Sequence, residues 1–292
     1  MTAPHRRAEI LDALRHGTVP RDGLAAFAVG MDRFQSTLEA ELDAASRGRG
    51  AFKAVRGEYG SGKTFFGRWL QERARGAGFA TSEVQVSETE TPLYRSEAVY
   101  RRLIERLATS DTPDGALRSV VDAWFYTLEE EVLAEGGTDA ADATALVGAT
   151  EVLMERRLSA IARTAPAFSA VLRAYRRALL ADQSSLAEGL IAWMGGQPNV
   201  AAAVKRAAGV KGDLDAFGAM HFLAGLLVIL RDSGRAGLVL VLDEVETLQR
   251  MRADTREKGL NALRQLIDEI DAGRYPGLYL VVTGTSAFFD GP

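Results

Sequence analysis

The chain has 292 residues, 47% hydrophobic and 25% charged, a globular balance with length for one large domain or two small ones. A net charge of −4 excludes a uniformly basic nucleic-acid binder, and the lack of cysteine excludes disulfides and thiolate metal sites, as suits a cytoplasmic protein. The longest apolar run, residues 222–230, is too short to span a bilayer, and MTAPHRRAEI lacks the apolar core of a signal peptide, so no membrane partner is expected.

In chain order, residues 6–15 carry Ile10, Leu11 and Leu14 at helical spacing, ended by Gly17 and Pro20. Residues 21–30 have no clear period. Phe27, Val29 and Gly30 are candidates for packing against an adenine, with plain packing at least as good a reading. Residues 32–46 form a predicted helix with Phe34, Leu38 and Leu42 on one face. Residues 51–56 read as a short strand, and residues 65–75 as a helix with Phe66, Trp69 and Leu70 on one side.

Between that strand and helix lies Gly57-Glu58-Tyr59-Gly60-Ser61-Gly62-Lys63-Thr64, which matches G-x-x-x-x-G-K-[ST] at every fixed position. Successive backbone N–H groups and a helix N-terminus answer the charge of a triphosphate. Glycine at 57, 60 and 62 lets the backbone turn and come close where a Cβ would clash. Lys63 is expected on the β and γ phosphates and the Thr64 hydroxyl on Mg²⁺.

Residues 79–86 alternate as a second strand, and residues 97–107 and 114–133 are amphipathic helices. Residues 138–215 read as a helical insertion, with helices at 144–163, 166–180, 185–194 and 199–208. Ser185 and Glu188 have the spacing of a capping box. Residues 217–230 are apolar nearly all round, which predicts a helix buried under a sheet. The division expected is an N-terminal segment, 1–50, and a core, 51–292, that carries the insertion.

Five consecutive apolar residues, 238–242, describe a strand buried on both faces, and Asp243-Glu244-Val245-Glu246 follows. A charged helix over 254–271 leads to a second such strand, 278–282, which ends in Thr283-Gly284-Thr285. Beside a phosphate loop, Asp243 is the expected holder of Mg²⁺ and Glu244 the residue that polarises the attacking water. Glu244 favours a hydrolase over a kinase. Thr283 is the better candidate for a γ-phosphate sensor and Thr285 the second, while Glu246 is either a residue that supports the acidic pair from behind or, the favoured reading, solvated.

No Asn-Lys-x-Asp guanine reader follows these strands, and Val210-Lys211-Gly212-Asp213 lacks the asparagine, which argues against GTP. Gly195-Gly196-Gln197 reads as a helix-ending turn rather than a transporter signature. Arg156, Arg157, Arg163, Arg173, Arg176 and Arg177 occur with no acidic residue between 156 and 181. They are candidates for DNA or an acidic partner, with a solvated face the stronger reading.

GEYGSGKTFFGRWL, VQVSETETPLYRSEAVYRRL, LVLVLDEVETLQR and LYLVVTGTSAFFD together resemble the BrxD family of BREX-system ATP-binding proteins, from about Gly17 onward. The resemblance implies an AAA+-like P-loop ATPase of bacterial phage defence, akin to replication-initiator and helicase-loader ATPases. It also implies work beside a helicase and other defence-system proteins on DNA. It assigns residues 57–64 to the nucleotide, Asp243 and Glu244 to the acidic pair, and Thr283 to the sensor. In such proteins an arginine finger and a helical lid follow the sensor strand, whereas this sequence ends nine residues beyond Thr283. The expectation is therefore ATP·Mg²⁺ binding with slow hydrolysis.

The fold expected is α/β: a parallel P-loop NTPase sheet with helices on both faces and no lid. Residues 51–56 are expected to be central, 278–282 next, then 238–242, with 79–86 outermost. The function expected is an ATPase that remodels a DNA-bound complex. The alternative is a nucleotide-dependent switch or scaffold with little turnover. A homo-oligomer is compatible with either.

Overall fold

The computed structural model describes residues 10–13, 15–20, 23–136 and 143–290. The first four residues of the helix expected over 6–15, and Leu14, lie outside them.

Four strands, β1 (Ala51–Arg56), β2 (Ala80–Gln85), β3 (Leu238–Asp243) and β4 (Leu278–Gly284), form one sheet in the order β1-β4-β3-β2. All three pairings are parallel. Helices flank the sheet, which makes the fold α/β with a P-loop NTPase-like core. β3 and β4 are buried at every position, because an interior parallel strand meets packed side chains on both faces.

The neighbour order is the one expected, but β1 is not central. Among the described residues it is an edge strand, paired with β4 alone. Its side chains alternate between half-buried and exposed, as one-sided packing requires. The sequence AFKAVR carried that signal, since a lysine at its middle suits an edge better than the LVLVL of β3.

Two helices, α1 (Asp32–Ser46) and α2 (Lys63–Gly76), cover one face of the sheet. Leu38, Leu42, Trp69 and Leu70 pack there against Val239, Val241, Tyr279 and Val281. Phe34 stays 38% exposed, its ring edge-on to Phe66 at 5.8 Å. Burial of this apolar surface, worth roughly 25 cal/mol per Å², fixes the helix that carries the phosphate loop.

By contact the chain divides into a sheet unit (Met1–Tyr94, Ala108–Asp111 and Ala236–Pro292) and a helical unit (Arg95–Leu107 and Thr112–Arg235). In the helical unit follow α3 (Ser96–Glu105), α4 (Leu117–Ala134), α5 (Ala143–Arg157), α6 (Ser159–Thr164), α7 (Pro166–Leu180), α8 (Ser184–Met194), α9 (Ala202–Ala207) and α10 (Ala216–Asp232). The helix expected over 144–163 is two pieces. The break falls at Leu158, which is wholly buried, and the second piece packs against α7 and α10.

The capping box also fails: Gln183 stands at the N-cap of α8, no side chain caps the helix, and Ser185 lies within its first turn. α10, expected beneath the sheet, belongs to the helical unit, where it packs on α3 and α4. Its Phe222 meets Tyr100, Phe168 and Trp193 edge-on at 6.2, 5.0 and 5.8 Å. The turn at Gly195-Gly196 ends α8 as read, with Gly196 at φ +78°. The sheet unit closes with α11 (Ala253–Asp271) and α12 (Ser286–Asp290).

Candidate functional site

Parallel pairing brings the carboxyl ends of all four strands to one edge of the sheet. Val55 lies opposite Thr283 and Gln85 opposite Asp243. The loop after β1 starts at Gly57, whose N–H donates to the Gly284 carbonyl at 3.1 Å and so extends the β1–β4 ladder by one bond. A Cβ at Gly57 would stand 2.4 Å from the Ser61 Oγ and 3.2 Å from its Cβ, so a larger residue here would make Ser61 shift. Gly60 and Gly62 hold φ +77° and +91°, the left-handed region, with open space where a side chain would begin.

The Ser61 N–H closes the loop onto the Glu58 carbonyl at 3.1 Å. α2 then begins with Gly62 as its N-cap and no side-chain cap, and its first helical bond runs from the Phe66 N–H to the Gly62 carbonyl at 2.8 Å. The N–H groups of the first turn therefore point into the loop without an intrahelical partner, as at every helix start. Lys63 Nζ donates to the carbonyls of Gly57 and Glu58 at 2.8 and 3.2 Å, which holds its charge against the loop. The result is a backbone concavity with an ammonium at its wall, a fit for an anion.

The acidic pair reaches the same place. Thr64 Oγ1 donates to Asp243 Oδ2 at 2.9 Å, and the buried Thr283 hydroxyl donates to Asp243 Oδ1. The Glu244 N–H is 3.1 Å from Asp243 Oδ1 and 3.4 Å from Thr283 Oγ1. Asp243 is only 4% exposed, and these donors satisfy the charge that burial would otherwise penalise. Glu244 leaves the strand in the left-handed conformation, φ 60° and ψ 43°, an uncommon choice for a non-glycine residue. Thr285, the second sensor candidate, is buried just past β4.

No cluster of three or more His, Asp or Glu that could hold a metal occurs among the described residues. A magnesium ion does not need one, since it is commonly held by one or two protein oxygens together with phosphate oxygens and water. The Thr64 hydroxyl and the Asp243 carboxylate, hard oxygen donors in contact, fit that requirement.

Two residues were missed. Gln85, at the end of β2, donates from Nε2 to Glu244 Oε2 at 3.0 Å. Only the β2–β3 register, invisible in a linear chain, reveals it. Glu246, expected in solvent, is 4% exposed, and neither carboxylate oxygen has a hydrogen-bond partner. Val245 and Leu248 on either side are fully buried, and that apolar flank was the available signal.

The arginine face is mostly neutralised inside the helical unit. Arg157 bonds Glu131 and Asp232, Arg173 bonds Glu155, Arg176 bonds Glu129, and Arg177 lies 3.4 Å from Glu151. The carboxylates come from other helices, so the acid-free stretch of sequence is not an acid-free surface.

Open parallel sheets take their ligands at the carboxyl ends of the strands, and here those ends offer an anion cradle beside a buried carboxylate. That combination defines the class, a P-loop NTPase-like protein. The particular assignment is narrower: the chain belongs to the BREX system ATP-binding protein BrxC/D family, whose model matches residues 2–292. The match takes BrxC and BrxD together and does not separate them. Comparison with curated proteins returned no match, and comparison with solved structures returned none.

Proposed function

We propose that the chain binds ATP with Mg²⁺ at residues 57–64 and hydrolyses it, as a BrxD-type member of a cytoplasmic phage-defence system. The observation that carries this reading is the Thr64–Asp243–Thr283 chain of hydrogen bonds, which ties the glycine loop to the acidic pair across three strand ends. Backbone N–H groups of residues 60–64 and Lys63 hold the phosphates in this reading, and Thr64 and Asp243 hold Mg²⁺. When bound, the magnesium ion neutralises phosphate charge. Glu244 orients and deprotonates the attacking water, and Thr283 fixes Asp243 and senses the terminal phosphate.

The helical unit, which contains the stretch 138–215 read as an insertion, is on this proposal the part that addresses partners: a helicase, other defence proteins, or a second copy of the chain. Four of its six clustered arginines are already engaged by carboxylates. A DNA contact there would fall mainly to Arg156 and Arg163.

A second reading, a nucleotide-dependent switch with little turnover, is favoured by one observation. Gln85 Nε2 donates to Glu244 Oε2, which ties one of the two carboxylate oxygens to β2 and leaves only the other to meet a water.

Calorimetric titration with ATP, with and without Mg²⁺, tests the binding step. Lys63→Ala should weaken ATP binding at least about a hundredfold through loss of charge-assisted bonds. Asp243→Ala should bind ATP with no gain from Mg²⁺. Unchanged binding by Lys63→Ala would overturn the site.

A further inference from the structure

Behind the acidic pair the chain makes one 3₁₀ segment, Val245–Arg250, and its last residue turns back to the phosphate loop. Arg250 Nη2 donates to the Tyr59 hydroxyl at 2.7 Å. The Lys63 ammonium lies 5.4 Å from the centroid of the same ring. Two cations from different elements thus meet one aromatic side chain of the glycine loop, Arg250 at its hydroxyl edge and Lys63 near its ring. Neither forms an ion pair with a carboxylate among the described residues. Lys63 contacts carbonyl oxygens, and Arg250 a neutral phenol.

This sets Arg250 apart from Arg56, Arg68, Arg73 and Arg274 of the same unit, each of which pairs with a carboxylate. The backbone that presents it is well anchored. Leu248 and Met251 are buried on either side, and Gln249 Nε2 donates to the Ala287 carbonyl at 3.2 Å. The side chains of Tyr59 and Arg250 are exposed. A guanidinium that is exposed, lacks a carboxylate partner and sits beside a backbone anion cradle, on a segment flanked by buried side chains, is an arrangement for capturing a polyanion.

We propose that Arg250 is a second cation of the nucleotide site, held in reserve on the Tyr59 hydroxyl and transferred to the terminal phosphate of a nucleoside triphosphate. It thereby distinguishes triphosphate from diphosphate within one chain. The proposal rests on the nucleotide-site reading above. Arg250 acts as a binding residue whose planar fork spans two phosphate oxygens, which a lysine reproduces in charge but not in geometry.

Calorimetric titration of the full chain with ATP and with ADP, both with Mg²⁺, tests it on wild type, Arg250→Ala, Arg250→Lys and Lys63→Ala. Arg250→Ala should melt like wild type, because the side chain is exposed. It should weaken ATP about tenfold while ADP changes by less than about twofold, the loss of one charge-assisted contact to the last phosphate. Arg250→Lys should recover part of the loss, and Lys63→Ala should weaken both nucleotides.

An equal loss for ATP and ADP in Arg250→Ala would overturn the proposal and leave the arginine a staple of the loop. Wild-type affinity for both would overturn it too, with the nucleotide site standing as long as Lys63→Ala still fails. If Lys63→Ala also binds both normally, the nucleotide site itself falls, and this proposal with it.

Discussion

Asp243 is served by three donors, the Thr64 and Thr283 hydroxyls and the Glu244 N–H, and that crowd explains how a carboxylate stays almost fully buried at a strand end. Buried tyrosines meet the same cost differently. Tyr100, in the helical unit, donates to the Met194 carbonyl at 3.2 Å, and burial pushes its hydroxyl well above the ordinary value. Tyr279, on β4, donates to Glu41 and is raised by burial first and then by that carboxylate. A folded-state value raised above the unfolded one gives stability that is complete below the unfolded value and is lost as pH climbs beyond it. Each of the two residues should therefore cost about 1.4 kcal/mol per pH unit above roughly pH 10. Thermal melting between about pH 8 and about pH 11 should be level and then fall, with a shallower fall in Tyr100→Phe. Parallel curves for the two proteins would show that the Tyr100 hydroxyl does not contribute.

Among the elements, α10 shows how closely the helical unit is packed. A Cβ at Gly225 would lie 2.6 to 2.8 Å from three atoms of the Phe168 ring, and that ring is 1% exposed. Alanine gains about 1 kcal/mol of helix propensity over glycine. Overpacking against a ring with no room to move costs about 1–3 kcal/mol, so Gly225→Ala should destabilise the protein in urea denaturation. A variant as stable as wild type, or more so, would contradict this packing.

α1 and α7 were legible in the sequence to the residue, because an apolar stripe, and in α7 a proline at the first turn, mark them without competition. The break at Leu158 was not, since no glycine or proline stands there to mark it. The buried strands β3 and β4 announced themselves as unbroken apolar runs, whereas the edge position of β1 depended on reading one lysine correctly. Within the site, the glycine loop and the acidic pair are local motifs and were readable. Gln85 and Arg250 reach the site only through strand register and a returning turn, and sequence spacing carries no trace of either. Glu246 was misplaced because its own charge was read without the fully buried Val245 and Leu248 that flank its short segment.

For the molecule as a whole, every residue of the candidate site belongs to the sheet unit, while the helical unit carries its own aromatic core around Phe222. Membership in the BREX system ATP-binding protein BrxC/D family gives the nucleotide its name. On the function proposed above, the acidic pair divides its work, with Asp243 serving binding and Glu244 serving hydrolysis. Phosphate release by Glu244→Gln, with ATP binding measured on the same sample, tests that division most directly. ATP affinity should stay near that of wild type and release should fall at least about a hundredfold, the contribution expected of a general base. Release at the wild-type rate would contradict that division.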